Sequence, residues 1–251
     1  MKGKKLNLDM PNLIYNENEP GQPIDDTLIT TLERYHDNHE SKECRSYKYL
    51  RIHLDEHLTL DTHTSHIVNK LTSSMYCIKQ AKHIIPESGL KSLYFALIHS
   101  YLLHCTAIMS VTTLKNRQRI IKIQKKALRL ISNSAYNAHT APLFLRYNIL
   151  PYEKLILFSQ LNFMHAINYS YAPSSFANTW LKNTNRLPER NLRNADEYTL
   201  TQPRTELFKR STFYAMPVAW NTLAPEIKLQ QNRTTFRWAL KAHLLTELDE
   251  N

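Results

Sequence analysis

Five cations at fixed spacing are the first chemistry this sequence offers. In Leu114–Ile131 (LKNRQRIIKIQKKALRLI), Lys115, Arg119, Lys122, Lys126 and Arg129 follow at intervals of 4, 3, 4 and 3, with Lys125 beside them. An α-helix advances about 100° per residue, so this spacing gathers the cations on one face. Leu114, Ile120, Ile121, Ala127, Leu128 and Ile131 fall on the opposite side, with Ile123 and Leu130 on one flank. No acid, glycine or proline interrupts the stretch. A salt-laced solvated helix mixes both signs, and this one does not. Two readings follow: a solvated Lys/Arg face, or an anion-facing surface suited to a nucleic-acid backbone.

The other reactive side chains assemble into nothing comparable. His53 and His57 stand at i, i+4 and His63 and His66 at i, i+3, but HLDEH lacks the Glu directly after His that a zincin helix requires. These histidines are expected to be unliganded surface residues, and no metal site is expected. No glycine-built phosphate loop is possible with only Gly3, Gly21 and Gly89, and there is no G-x-S-x-G elbow. Cys77 and Cys105 lie in apolar helical stretches and are expected to be buried hydrophobes. Metal-assisted nucleotidyl transfer needs gathered carboxylates. The Asp25-Asp26 pair follows a Pro-rich linker and reads as a helix start favoured by the dipole. No cofactor or small-molecule ligand is expected.

Charge distribution points the same way as the helix. The 251 residues carry a net charge of +10, and residues 88–188 hold 12 basic side chains against a single acid, Glu153. A basic folded middle suggests a binding surface, where a basic tail would suggest a floppy arm. Three cysteines far apart make neither a disulfide framework nor a CxxC metal site, so a reducing intracellular setting is expected. The start MKGKKLNLDMPN has no apolar run behind it and does not read as a secretory signal. Residues 93–111 carry no formal charge but include His99, Ser100, His104, Thr106 and Ser110, which favours a buried core helix over a membrane span.

The elements that must position the basic helix are mainly helical. Residues 1–46 are weakly patterned, with possible short strands in 6–15 and a turn-rich NENEPGQP. Alternation in SYKYLRIHLDEHLTL predicts a strand or hairpin within 47–61, ending near Asp55-Glu56. A helix capped by Thr62 or Thr64 is expected to run to about Lys82 on a buried stripe of Ile67, Leu71, Met75 and Ile78. The uncharged helix (90–108) and the basic helix follow. After a polar loop and one turn at 142–147, Pro151 is expected to open a helix to about Tyr169 with Leu155, Phe158 and His165 inward. Residues 62–169 thus read as one helical domain. An irregular loop over 170–204 and an aromatic-rich segment with a terminal amphipathic helix over 205–251 complete the chain, the helix burying Phe236, Leu240, Leu244 and Leu245.

Four segments, in order, resemble the C-terminal part of reverse transcriptases from non-LTR (LINE-type) retrotransposons. SYKYLRIHLDEHLT is similar to the family's "KYLG" strand and following "LD..L" at the end of the palm. Residues 62–83 and 88–108, ending in YLLHC, resemble thumb helices. IIKIQKKALRLISNSAYNAHTAPLFLRYNIL resembles "LQKKAIRII…Y..HT.PLF....IL", and ELFKRSTFYAMPVAWNTLAPEIK resembles "LF.RS..Y..P..WN.LP..I". The last two are the most specific, and the resemblance covers about residues 47–248.

The resemblance implies a mainly α fold: a helical thumb-like bundle with a small N-terminal β hairpin, a long irregular loop and a C-terminal amphipathic helix. It implies that Lys115, Arg119, Lys122, Lys125, Lys126 and Arg129 face a template–primer duplex. It also gives Tyr49, Leu50 and Arg51 the place of a primer-gripping hairpin, although Arg51 stands where the family has Gly, which permits close backbone approach. Tyr136 and His139 in the next loop are candidates for base stacking. No YxDD, no upstream metal-binding Asp and no endonuclease sequence is present, and residues 22–46 look like an insertion between two palm-end strands. The expectation is therefore a truncated RNA-directed DNA polymerase remnant, not itself an enzyme, that binds RNA, DNA or hybrid non-specifically. A helical scaffold docking an acidic protein, or a product without function, are the alternatives.

Overall fold

A hairpin opens the part of the chain that the computed structural model describes, which is residues 46–176, 178–186 and 195–248. The expectations for 1–45, including strands in 6–15, the Asp25-Asp26 helix start and the thiol of Cys44, lie outside the described residues. Strands β1 (Ser46–Tyr49) and β2 (Ile52–Asp55) pair antiparallel, with Tyr49 opposite Ile52 and Ser46 opposite Asp55. The two residues between them, Leu50 and Arg51, have φ of 45° and 68°. Two successive positive φ values give the tight turn whose twist matches that of the strands.

Helix α1 (Asp61–Ala81) begins not at a threonine cap but after Leu60, itself left-handed at φ 60°. The Asp55 carboxylate does the capping from outside the helix. It accepts the Thr59 N–H at 2.7 Å and the Asp61 N–H at 3.2 Å. Burial alone would raise this carboxyl, and the hydrogen bonds from Thr59, Leu60 and Asp61 overcome that and hold it below its ordinary value. Ile67, Leu71 and Ile78 are buried as the periodicity predicts, while Met75 is half-buried.

The uncharged stretch folds as α2 (Glu87–Tyr94), a π-helical turn at Phe95–His99 and α3 (Ser100–Leu103). Gly89 lies inside α2, where an added Cβ would stand 2.3 Å from Ile85 Cγ2. The helix stops at Leu103, well short of 108. His104 turns extended, Cys105 is left-handed at φ 55°, and the Thr106 hydroxyl takes the Leu102 carbonyl at 2.6 Å. Its burial is one-sided: Leu90, Tyr94, Ile98 and Leu102 are inside, while Phe95, Tyr101 and Leu103 are exposed. Among the described residues, no helix is long and apolar enough to cross a membrane.

The basic stretch forms α4 over Leu114–Ile131, the expected bounds. Next come α5 (Ala141–Tyr147) and α6 (Tyr152–Asn168); Pro151 takes the cap position of α6, so the helix begins one residue after the predicted start. The segment from 170 is mostly irregular but contains α7 (Asn183–Arg186) and a bridge pairing Lys182 with Tyr198. The chain closes with α8 (Glu206–Arg210), α9 (Thr212–Thr222), α10 (Pro225–Lys228) and α11 (Arg233–Thr246). The architecture is a mainly α bundle with one small antiparallel hairpin.

The layers follow from which faces are apolar. Helix α1 lies against α4 and carries β2 on its other side, α6 packs on α4, and α9 and α11 pack on α6. Phe236, Leu240 and Leu244 of α11 are fully buried, and Leu245 half-buried. In α6 the buried apolar set is Leu155, Ile156, Leu161 and Met164, with Phe158 half-buried. The ring of His165 stacks on Phe236 at 4.0 Å between centroids, and its Nε2 meets the Gln230 carbonyl at 2.8 Å.

Two side chains pin the irregular segment by replacing backbone. Pro217 inside α9 has no N–H for the Phe213 carbonyl one turn back, and Trp180 Nε1 donates there instead at 2.9 Å. The Asn221 amide accepts the Tyr198 N–H and donates to the Tyr198 carbonyl, both at 2.9 Å, as a neighbouring strand would.

Candidate nucleic-acid interface

Helix α4 starts because Thr113 supplies its cap, accepting the Asn116 N–H at 3.4 Å. Its inward face is Ile120, Ile123, Ala127, Leu128 and Ile131 together with two buried polar residues, Asn116 and Gln124. Leu114, assigned to the apolar side by the sequence, is 59% exposed, and Ile121 is half-buried.

Both buried amides are fully used. Asn116 bonds Asp61 and, at 3.2 Å, Thr112 Oγ1, and it accepts from Arg119 Nη1 at 3.3 Å. Arg119 also reaches Ser65 Oγ at 3.3 Å. These contacts join 61 to 116 and 65 to 119, so α1 and α4 run parallel and side by side. Gln124 Nε2 donates to Tyr94 Oη at 2.9 Å and to the Leu150 carbonyl at 3.0 Å. Its Oε1 accepts the Tyr152 N–H at 2.9 Å. One side chain thus locks α2, α4 and the start of α6 together, and it fixes the rotation of α4 about its axis.

That rotation turns the cations outward. Lys115, Lys122 and Lys126 are exposed and Lys125 is half-buried. None of the ion pairs among the described residues uses an α4 side chain. Glu153 lies toward the other flank, near Arg117, whose guanidinium burial pushes down in pKa while Glu153 partly offsets the effect. The two arginines of the predicted set behave differently from the lysines. Arg119 is engaged with Ser65 and Asn116, and Arg129 Nε donates to the Ala138 carbonyl at 2.9 Å, bracing the loop after α4. They are positioning residues as much as outward charges. Tyr136 and His139 in that braced loop are both exposed.

The hairpin places Tyr49, Leu50 and Arg51 at an exposed tip, with every residue of β1 exposed. Arg51 holds the left-handed backbone that glycine adopts without strain.

The histidines divide: His57 and His66 are exposed as expected, His53 is half-buried, and His63 departs from expectation. His63 is 1% exposed rather than on the surface, and neither of its ring nitrogens has a partner. Its ring centroid lies 6.3 Å from that of His53 and 6.4 Å from that of His104, and His53 is 5.0 Å from His66. Burial first, and then the neighbouring His104, His53 and His66, push His63 down to about 4. Among the described residues no group of three or more His, Cys, Asp or Glu side chains is arranged to hold a metal ion. Cys77 is exposed, not buried, because the stripe of α1 turns inward at Ser74 and Ile78; Cys105 is half-buried.

No protein-family model, curated protein or solved structure matches this chain.

Proposed function

We propose that the chain is the thumb and C-terminal region of a non-LTR retrotransposon reverse transcriptase, and that it grips a nucleic-acid duplex non-specifically through α4. The observation that carries the reading is the row Lys115, Lys122, Lys125 and Lys126, turned outward by Gln124 with no carboxylate partner among the described residues. From Lys115 to Lys126 the row is about 16 Å long at 1.5 Å per residue, enough to follow a backbone across several phosphates. Lysine is a flexible point charge suited to phosphate and unsuited to base reading. The chain would not polymerise alone, since its sequence carries no YxDD; a palm would have to supply the carboxylates. The two free thiols among the described residues, Cys77 and Cys105, fit an intracellular setting, nuclear or cytoplasmic.

The test is binding of a fluorescent RNA–DNA hybrid across a salt series. Four lysine–phosphate contacts give a log K against log salt slope of roughly −3 to −4. Lys115→Glu, Lys122→Glu and Lys126→Glu together should abolish binding while leaving the helical circular dichroism unchanged, because all three side chains are exposed. Unchanged affinity in that variant would refute the site. Competition by unlabelled duplex separates this reading from docking of an acidic protein.

A further inference from the structure

Helix α11 presents a second cationic surface that the reading of α4 does not use. Its outward face carries Arg237, Trp238 and Lys241, and Trp238 is 77% exposed. A tryptophan left this open is unusual in a folded domain. It borders a groove of about 480 Å³ that Phe158 of α6, Arg237 and Lys241 also line. Arg237 lies over the Phe158 ring at 6.0 Å.

The groove is electrostatically incomplete. Lys241 is half-buried, and Lys91 of α2 lies near enough to disfavour its charge further; burial is the larger cause. His99 faces the same lysine, is itself held down by burial and then by Lys241, and its Nδ1 is buried without a partner. Among the described residues, the acids near these charges, Glu87 and Glu247, are engaged elsewhere. Glu87, one turn before Lys91, takes Arg146 at 2.8 Å and the Tyr147 hydroxyl at 2.7 Å. Glu247, beyond the groove on the same helix run, takes Lys154 and His243. Two neighbouring lysines, partly desolvated and with no carboxylate paired to either among the described residues, repel one another, and a bound anion relieves that repulsion.

We propose that the α11 groove binds single-stranded nucleic acid, with Trp238 stacking on an unpaired base and Lys241 and Arg237 holding the adjoining phosphates. An aromatic platform beside a cationic track is the arrangement that sequence-tolerant single-strand binding requires. A duplex, whose bases are already stacked, offers Trp238 nothing, so the two surfaces divide the work: paired nucleic acid on α4 and unpaired nucleic acid on α11.

The experiment uses the whole chain carrying the three α4 Lys→Glu changes, so that α4 does not contribute. A short fluorescein-labelled oligothymidylate is titrated by anisotropy at low salt, with quenching of intrinsic tryptophan fluorescence as the second readout. Saturable binding is expected. Trp238→Ala should weaken it about 10-fold, within the 5- to 150-fold that one stacking contact supplies. Trp238→Phe should restore most of the affinity, and Lys241→Glu should weaken binding at low salt more than at high. Absence of binding, or binding indifferent to Trp238→Ala and Lys241→Glu, overturns the proposal. The hybrid-duplex salt series on the unmodified chain reports on α4 independently.

Discussion

Mild acid should loosen this protein, and His63 is the reason. The side chain is buried in the neutral form, surrounded by His53, His66 and His104, with Lys48 and Lys70 near His66. In the unfolded chain an imidazole takes up its proton near 6.5, whereas in the folded protein His63 resists until about 4. The unfolded state therefore binds more protons throughout that window, and stability is lost as pH falls from above 6.5 toward 4. At 1.36 kcal/mol per pH unit, the loss is roughly 2 kcal/mol by pH 5 and roughly 3 kcal/mol by pH 4. Urea unfolding at pH 7.5 and pH 5.0, at one ionic strength, measures the total acid response. Repeating it with His63→Phe isolates this residue, because His99 and His165, whose charged forms burial also disfavours, remain in both proteins. Phenylalanine fits the need, since neither nitrogen of His63 is hydrogen-bonded and little is lost at pH 7.5. The variant should lose roughly 2 kcal/mol of the difference between the two pH values. An undiminished difference would refute the reasoning.

Two further outcomes follow from particular contacts. Gln124→Leu strands the Tyr152 N–H, the Leu150 carbonyl and the Tyr94 hydroxyl in the core, and it should cost about 3 kcal/mol in urea unfolding and speed amide exchange at Tyr152. Arg51→Gly relieves a left-handed backbone at the hairpin tip and should stabilise by about 1 kcal/mol; a lower thermal midpoint would contradict the turn described for Leu50-Arg51.

The sequence made the bundle, the hairpin and the basic helix readable because each rests on local signals. Helix α4 has no breaker inside it and a threonine cap before it, so its ends fall where its periodicity does. The hairpin shows as alternation across SYKYLRIHLD. What stayed hidden is non-local. Polar residues are assigned outward by pattern, so Gln124 and Asn116 read as surface although they hold α4 in place. The end of α3 gives no signal because no glycine or proline marks the left-handed turn at Cys105. The four histidines come from β2, α1 and the turn after α3, and only the fold brings them together. In the candidate site, the lysines were legible and the structural duty of Arg129 was not, since its partner, Ala138, is a backbone carbonyl with no sequence identity to recognise.

The two pins at Trp180 and Asn221 have a consequence for how the chain tolerates change. Lys182 and Tyr198 meet in a bridge, so the stretch between them begins and ends at one place, secured to α9 on both sides. Its two ends are thereby held together independently of its length. Doubling such a loop adds only about 0.6 kcal/mol of closure entropy. An insertion between Arg186 and Ala195 spares the bonds of Asn183 and Thr184 to Glu197 and Ala195, which makes that span the place to graft an epitope or fluorophore when both surfaces must stay free.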